Sequence, residues 1–192
     1  IEGQDDHEII KATRDCDAMV VVYSYIQDAI IKQLRRCRVI SRRGAGVDRI
    51  DVDLASQHGI WVTNVPHAFT DDVADHTMAL LLAVARLIPF NDFEIRQGRR
   101  PYQLKLLPAL AGQTLGIIGF GGIGKAVACR ARAFGMKIIV YDPAADRSDE
   151  ASCDAIPVAF EAILRQSDYL CLLCPLLPDT REMIKMDQLK MM

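Results

Sequence analysis

The chain has almost no excess of either charge: 23 lysines and arginines stand against 25 aspartates and glutamates, a formal net charge of −2. Without a basic patch there is no electrostatic footprint for nucleic acid or an anionic membrane, and neither is expected as a partner. A leader-like start is also missing. Residues 1–8 carry acids where a signal peptide would place a basic end and an apolar run, so a cytoplasmic location is expected. Long lipid-compatible runs are absent too. The uncharged stretch 106–124 contains Pro108, Gln113 and six glycines, which would break a membrane helix, and it reads as a loop entering a buried strand.

Cysteine is present without pattern. Six cysteines show no paired spacing of a disulfide framework and read as small core residues. Only Cys171 and Cys174 have the spacing of a redox or metal pair. On a strand, an offset of three sends the two thiols to opposite faces, so no metal site is expected. There is no internal repeat and no low-complexity segment.

What the sequence does have is 51% apolar residues in 192, enough for one good core or two modest ones. The first seventy residues alternate short apolar strands with helical stretches, the pattern of a parallel sheet wrapped by helices. A buried strand is expected over 17–23, a helix over 27–36 and a strand over 38–41. A glycine turn at Gly44-Ala45-Gly46 follows, then a helix over 51–58 closed by Gly59 and a strand over 60–63. Thr70, with Asp71 and Asp72 in the first turn, starts a helix that runs to Arg86 or Leu87. Its interior is apolar on nearly every face, which places it between domains or subunits. Residues 98–112 read as a connection. Thereafter the alternation resumes, with strands over 114–118, 137–141 and 167–174 and helices over 123–134 and 157–166.

The chemistry sits where the alternation resumes. Gly119-Phe120-Gly121-Gly122-Ile123-Gly124 follows a strand and opens a helix. The first glycine allows the tight turn, the second lets backbone approach a pyrophosphate, and the third lets helix and strand pack closely. A diphosphate would then lie at the positive end of the helix, among free amides. Asp142 ends the next apolar strand at the spacing of a ribose-binding acid. A carboxylate there accepts from ribose hydroxyls and repels a 2′-phosphate, so NAD is expected over NADP. Arg147 keeps NADP open, since a loop bend could bring it to a phosphate.

Several segments, in order, resemble the D-isomer-specific 2-hydroxyacid dehydrogenase family, including its phosphoglycerate dehydrogenase and C-terminal-binding-protein branches. They are Arg43-Gly-Ala-Gly-Val-Asp-Arg-Ile-Asp51, Gly59-Ile-Trp-Val-Thr-Asn-Val-Pro66, Val73-Ala-Asp-His-Thr77, the stretch from Leu115 to Gly124, Ala133-Phe-Gly135 and Tyr141-Asp-Pro143. The resemblance implies an α/β fold with a Rossmann-type NAD-binding domain over 71–192 and a flavodoxin-like substrate domain over 1–70, both truncated. It implies hydride transfer between NAD(H) and C2 of a 2-hydroxy or 2-keto acid. The amides of Ala45 and Gly46 would hold the substrate carboxylate, with Tyr23 either facing the substrate or packing in the core. The turn Gly119–Gly124 would hold the cofactor, Gly122 and Ile123 touching the pyrophosphate. Asp142 and Pro143 would hold the ribose; Cys174, Pro175 and Thr180 would line the adenosine side, and Thr77 would approach the nicotinamide.

Two departures stand out. Leu173 occupies a position where relatives commonly carry histidine, which removes one polar cofactor contact. The arginine, glutamate and histidine that the family's chemistry needs are expected beyond Met192, so the chain reads as a fragment, inactive alone, with no catalytic residue of its own. His76 is expected to make a structural or subunit contact, and His7, His58 and His67 read as surface or turn residues. A homodimer is expected of the intact protein, from the apolar helix over 71–87. Two alternatives stay open: an NAD-sensing corepressor-like regulator without dehydrogenase activity, and another NAD enzyme with a similar cofactor half, such as the alanine dehydrogenases or adenosylhomocysteine hydrolases.

Overall fold

A computed structural model describes residues 5–99, 107–144 and 153–192. By its contacts the chain divides into two units, Ile1–Phe69 and Thr70–Met192. In the first unit, strands β1 (Ala18–Val21), β2 (Val39–Arg42) and β3 (Trp61–Thr63) pair in parallel in that order, with Met19, Ile40 and Val62 in register. Helices α1 (Asp6–Thr13), α2 (Asp28–Ile31) and α3 (Val52–Gln57) bring Ile9, Ile30, Ile31 and Ala55 to a core that Val21 and Ile40 enter from the sheet. Burying each of these isoleucines contributes about 1.5–3 kcal/mol. Asp51 starts α3 by accepting from the Leu54 amide at 2.9 Å, and Gly59, at φ +71, ends it.

Two expectations for this unit need correction. β1 is shorter than 17–23 and is not buried throughout: Val21 is buried while Val20 is 71% exposed. Among the described residues of the unit, the helices pack on one sheet face, so Val20 and Ala18 stand on the other. The helix expected over 27–36 stops at Ile31. The Arg35 amide donates to the Arg14 carbonyl at 2.8 Å, so the chain leaves the helical path to reach it.

The second unit is built on a parallel sheet in the order β6-β5-β4-β7, from β4 (Thr114–Ile118), β5 (Lys137–Tyr141), β6 (Ile156–Pro157) and β7 (Tyr169–Leu172). Leu115, Ile117, Ile138 and Val140 face α4 (Thr70–Ala85) and α6 (Gly122–Ala133). Ile118 and Ile139 point the other way, onto Ile163 and Leu164 of α7 (Phe160–Gln166). A strand covered on both faces is apolar wherever it is covered, which is why Leu115–Ile118 and Ile138–Val140 read as unbroken runs. Gly116 has no room for a side chain: a Cβ there would lie 2.0 Å from Ser167 Oγ and 2.9 Å from Ile163. Arg130 of α6 ties itself to α4 through Asp75 at 2.6 Å and Asp71 at 2.9 Å.

Helix α4 ends at Ala85, a residue or two before the expected end, and buries only the stripe Ala74, Met78, Leu81 and Ala85. Leu80 and Val84 are exposed. Leu87, at φ +52, then redirects the chain by 60° into α5 (Ile88–Arg96), a helix not anticipated from sequence. Among the described residues no single helix is long and apolar enough to cross a membrane. The segment expected as a helix over 157–166 opens as strand instead, because the Val158 amide still pairs with Val140 at 2.9 Å. The strand expected over 167–174 is confined to Tyr169–Leu172, since Ser167 belongs to the end of α7. A four-residue helix, α8 (Met186–Leu189), lies near the C-terminus.

The cysteine expectation also changes. Cys129 of α6 is exposed, and it is paired in a disulfide with Cys153, 24 residues away. Sequence spacing gave no sign of the pair because the fold, not the sequence interval, brings α6 beside the start of the β6 segment. Cys16, Cys37, Cys171 and Cys174 are free.

Candidate functional site

Both sheets are wholly parallel, so the segments that leave their strands emerge along the same edge of each sheet. In the second unit those segments are the Gly119 turn after β4, Asp142 after β5 and Leu173-Cys174 after β7. Gly119, Gly121 and Gly124, the three glycines of the G-x-G-x-x-G pattern, have separate reasons to be glycine. Gly119 holds φ +94, and a Cβ on it would lie 2.4 Å from the Cys174 nitrogen. Gly124 lies against the same turn, where a Cβ would meet the Gly119 carbonyl oxygen at 2.3 Å. Gly121 is different: nothing lies within 4 Å of where its Cβ would be. The turn therefore packs tightly against protein at Gly119 and Gly124 and faces open space at Gly121.

Gly121 is also the N-cap of α6 and provides no capping side chain. The first amides of the helix, including those of exposed Gly122 and half-buried Ile123, stand at the positive end of a twelve-residue helix. Asp142 fixes the turn from the side. One carboxylate oxygen accepts from the Phe120 amide at 2.7 Å and the other from the Ala144 amide at 2.9 Å. A carboxylate has roughly four lone-pair sites, so each oxygen keeps one acceptor position. Half-buried Asp142 is thus held in place with capacity to spare, and exposed Pro143 turns the chain away from it.

The remaining residues expected at the cofactor fall unevenly. Phe120 must be reassigned: its side chain is 1% exposed in the core and its amide is committed to Asp142, so neither group is presented at the surface of the turn. Cys174 is brought against Gly119 through backbone, followed by exposed Pro175. The Thr180 hydroxyl donates to the Pro175 carbonyl at 2.6 Å and accepts from the Leu177 amide at 2.8 Å, closing that loop on itself. The Thr77 hydroxyl donates to the Val73 carbonyl at 2.7 Å. Thr77 lines an apolar groove of about 380 Å³ with Leu80, Leu81, Val84 and residues 169–173, Leu173 among them. In that groove burial raises the Cys171 thiol above its ordinary range. Arg147 lies outside the described residues.

In the first unit, Ala45 and Gly46 are exposed on the turn after β2, and Tyr23, 75% exposed after β1, is not a core residue. Gly46 tolerates no side chain, because a Cβ would meet the Asp48 carboxylate at 2.8 Å. Two residues that sequence reasoning passed over hold this turn: Arg42, whose Nε donates to the Gly46 carbonyl at 3.1 Å, and Asn64, whose Nδ2 donates to the Ala45 carbonyl at 2.7 Å. A polar side chain at each strand end beside a glycine loop was the available signal. His76, His7, His58 and His67 are all exposed. Among the described residues no group of three or more His, Cys, Asp or Glu could hold a metal ion.

Turn, helix and terminal aspartate together define a dinucleotide-binding α/β unit, and comparison with known proteins gives the family. Residues 78–192 match the family model described as D-isomer specific 2-hydroxyacid dehydrogenase, NAD binding domain. The glyoxylate reductase of Thermococcus litoralis is 38% identical over 192 residues, a match that takes in 96% of this chain and 58% of that one. Among solved structures, the D-lactate dehydrogenase of Aquifex aeolicus complexed with NAD and lactic acid superposes at a TM-score of 0.87, with 26% identity, over 95% of this chain and 55% of that one. An acyclic imino acid reductase in complex with NADPH and D-Arg does so at 0.88, with 28% identity, over 98% and 60%. The chain belongs to the D-isomer-specific 2-hydroxyacid dehydrogenase family. It spans under two thirds of the length of these relatives. The matched domain makes a nicotinamide dinucleotide the cofactor class.

Proposed function

We propose that the intact protein reduces a small 2-oxo acid to the D-2-hydroxy acid with NADH, and that residues 119–124 and 142 hold that cofactor. The observation that carries this reading is the start of α6: no capping side chain, open space at Gly121, and a carboxylate anchored beside the turn with acceptor positions left. Bound there, the cofactor supplies a hydride for C2 of the substrate. The amides of Gly122 and Ile123 bind its pyrophosphate, and Asp142 accepts from the ribose hydroxyls while disfavouring a 2′-phosphate, which supports NAD over NADP. Cys174 and Pro175 border the adenosine side, Thr180 acts by shaping their loop, and Thr77 lies toward the nicotinamide end. In the other unit, the amides of Ala45 and Gly46 bind the substrate carboxylate, with Tyr23 beside it.

The partner in solution is a second copy. Leu80 and Val84 of α4 and Phe90 and Phe93 of α5 are all more than half exposed, an apolar surface larger than isolated exposed residues would make. A cytoplasmic location, without nucleic-acid or membrane partners, accords with the balanced charge.

The test is NADH and NADPH titration of the intact protein, followed by turnover with glyoxylate and larger 2-oxo acids. Asp142→Ala is expected to weaken NADH binding about tenfold or more. Unchanged NADH affinity in that variant would overturn the assignment.

A further inference from the structure

We propose that Arg42 is a positioning residue: with Asn64 and the Val65 amide, which hold the two carbonyls between its own, it keeps the carbonyls of the 43–46 segment inward so that the amides of Ala45, Gly46 and Val47 face a substrate carboxylate. The inference rests on the functional reading above and goes beyond it by naming what gives the turn its polarity.

Four consecutive carbonyls are occupied from the protein side. Arg42 Nη1 donates to the Arg43 carbonyl at 3.1 Å, and the Gly44 carbonyl accepts from the Val65 amide at 3.0 Å. The Ala45 carbonyl accepts from Asn64 Nδ2 at 2.7 Å, and the Gly46 carbonyl from Arg42 Nε at 3.1 Å. In a trans peptide the N–H points opposite to the C=O of the same unit. Pinning the carbonyls of residues 44, 45 and 46 therefore aims the amides of residues 45, 46 and 47 the other way. Among the described residues no group accepts from the Ala45 or Gly46 amide. A row of outward amides with inward carbonyls is an anion-binding concavity.

Arg42 also sets where this row stands. The same Nη1 donates to the Val22 carbonyl, tying the turn to the end of β1 just before Tyr23. The guanidinium lies under Gly44, whose Cβ position is 3.5 Å from Arg42 Cζ. Among the described residues Arg42 makes no ion pair, and every hydrogen bond of its guanidinium goes to a backbone carbonyl. A lysine would keep the charge but, as a single point donor, could not span Gly46 on one side and Val22 on the other.

The experiment uses the intact protein with glyoxylate as the probe substrate. Arg42→Met and Arg42→Lys are expected to raise KM for glyoxylate about tenfold or more while kcat changes far less, because a carboxylate is held alike in ground and transition states. NADH affinity should not move, and Asn64→Ala should raise KM by a smaller factor. Arg36→Ala, which removes a surface pair with Asp17 in the same unit, should leave KM unchanged. A folded Arg42→Met enzyme with wild-type KM, or one whose NADH affinity falls with its KM, overturns the inference. If Arg42→Met fails to fold by circular dichroism, Arg42→Lys decides on the same criteria. A wild-type protein that binds NADH but reduces no 2-oxo acid defeats the functional reading and this inference together; an active wild type with indifferent variants defeats the inference alone.

Discussion

Gly121→Ala and Gly124→Ala lie three residues apart on one helix start and should differ in what they cost the fold. At Gly121 the backbone sits at φ −73, ψ −162, open to any residue, and a Cβ meets nothing within 4 Å. Alanine there restricts the unfolded chain but is a poorer N-cap than glycine, so the two effects offset and stability should change by less than about 1 kcal/mol. The added methyl group stands where a pyrophosphate would touch backbone, and NADH affinity should fall roughly 10–100-fold, or about 1.4–2.7 kcal/mol. At Gly124 the new Cβ would lie 2.3 Å from the Gly119 carbonyl oxygen. Relieving that contact moves turn and helix apart by roughly an ångström, at about 1–3 kcal/mol of stability, and should weaken NADH binding as well. Urea unfolding and NADH fluorescence titration of the two variants measure both quantities. A Gly121→Ala protein that binds NADH like wild type would refute the reasoning, since the open space at Gly121 would then have no ligand in it.

Further outcomes follow from other contacts. Asp142→Asn keeps the size of the side chain but removes its charge, so it should narrow the preference for NADH over NADPH by about tenfold, measured as the ratio of the two dissociation constants. Gly116→Ala drives a methyl group onto Ser167 and Ile163 and should destabilise the second unit by about 1–3 kcal/mol in urea melts, leaving the first unit untouched. The Cys171 thiol, raised by burial, should alkylate with iodoacetamide more slowly at pH 8 than free cysteine does. Because its folded pKa lies above the unfolded one, its contribution to stability is present at and below the ordinary thiol range and is lost as pH rises through the folded value.

The parts of this fold that were legible in the sequence are those with a local cause. Strands β4 and β5 coincide with their expected bounds because both faces are covered, which leaves unbroken apolar runs after Thr114 and Lys137. The glycine turn and Asp142 were legible because each glycine meets a separate demand of the backbone. Where long-range contacts decide, local pattern failed. Nothing between residues 27 and 36 announces that the Arg35 amide bonds to Arg14 and ends α2 early. Likewise α5 depends on a left-handed leucine that a sequence does not advertise. Phe120 sits inside the motif, yet register sends its ring into the core. Arg42 went unread because its importance lies in carbonyls some twenty residues upstream at Val21 and Val22.

Strand β4 stands in the middle of its sheet, but its two neighbours arrive from very different distances along the chain. The Asp168 carboxylate that accepts from the Thr114 amide is 54 residues downstream. Closing so long a loop is slow and entropically costly, so β7 is expected to join after β4, α6 and β5 have already assembled. Cys174, which abuts Gly119, comes with it. A ribosome-bound chain that has emerged only as far as Tyr141 would carry the complete glycine motif without its backstop, and the ability to retain a dinucleotide would be acquired only after residues 142–174 had followed.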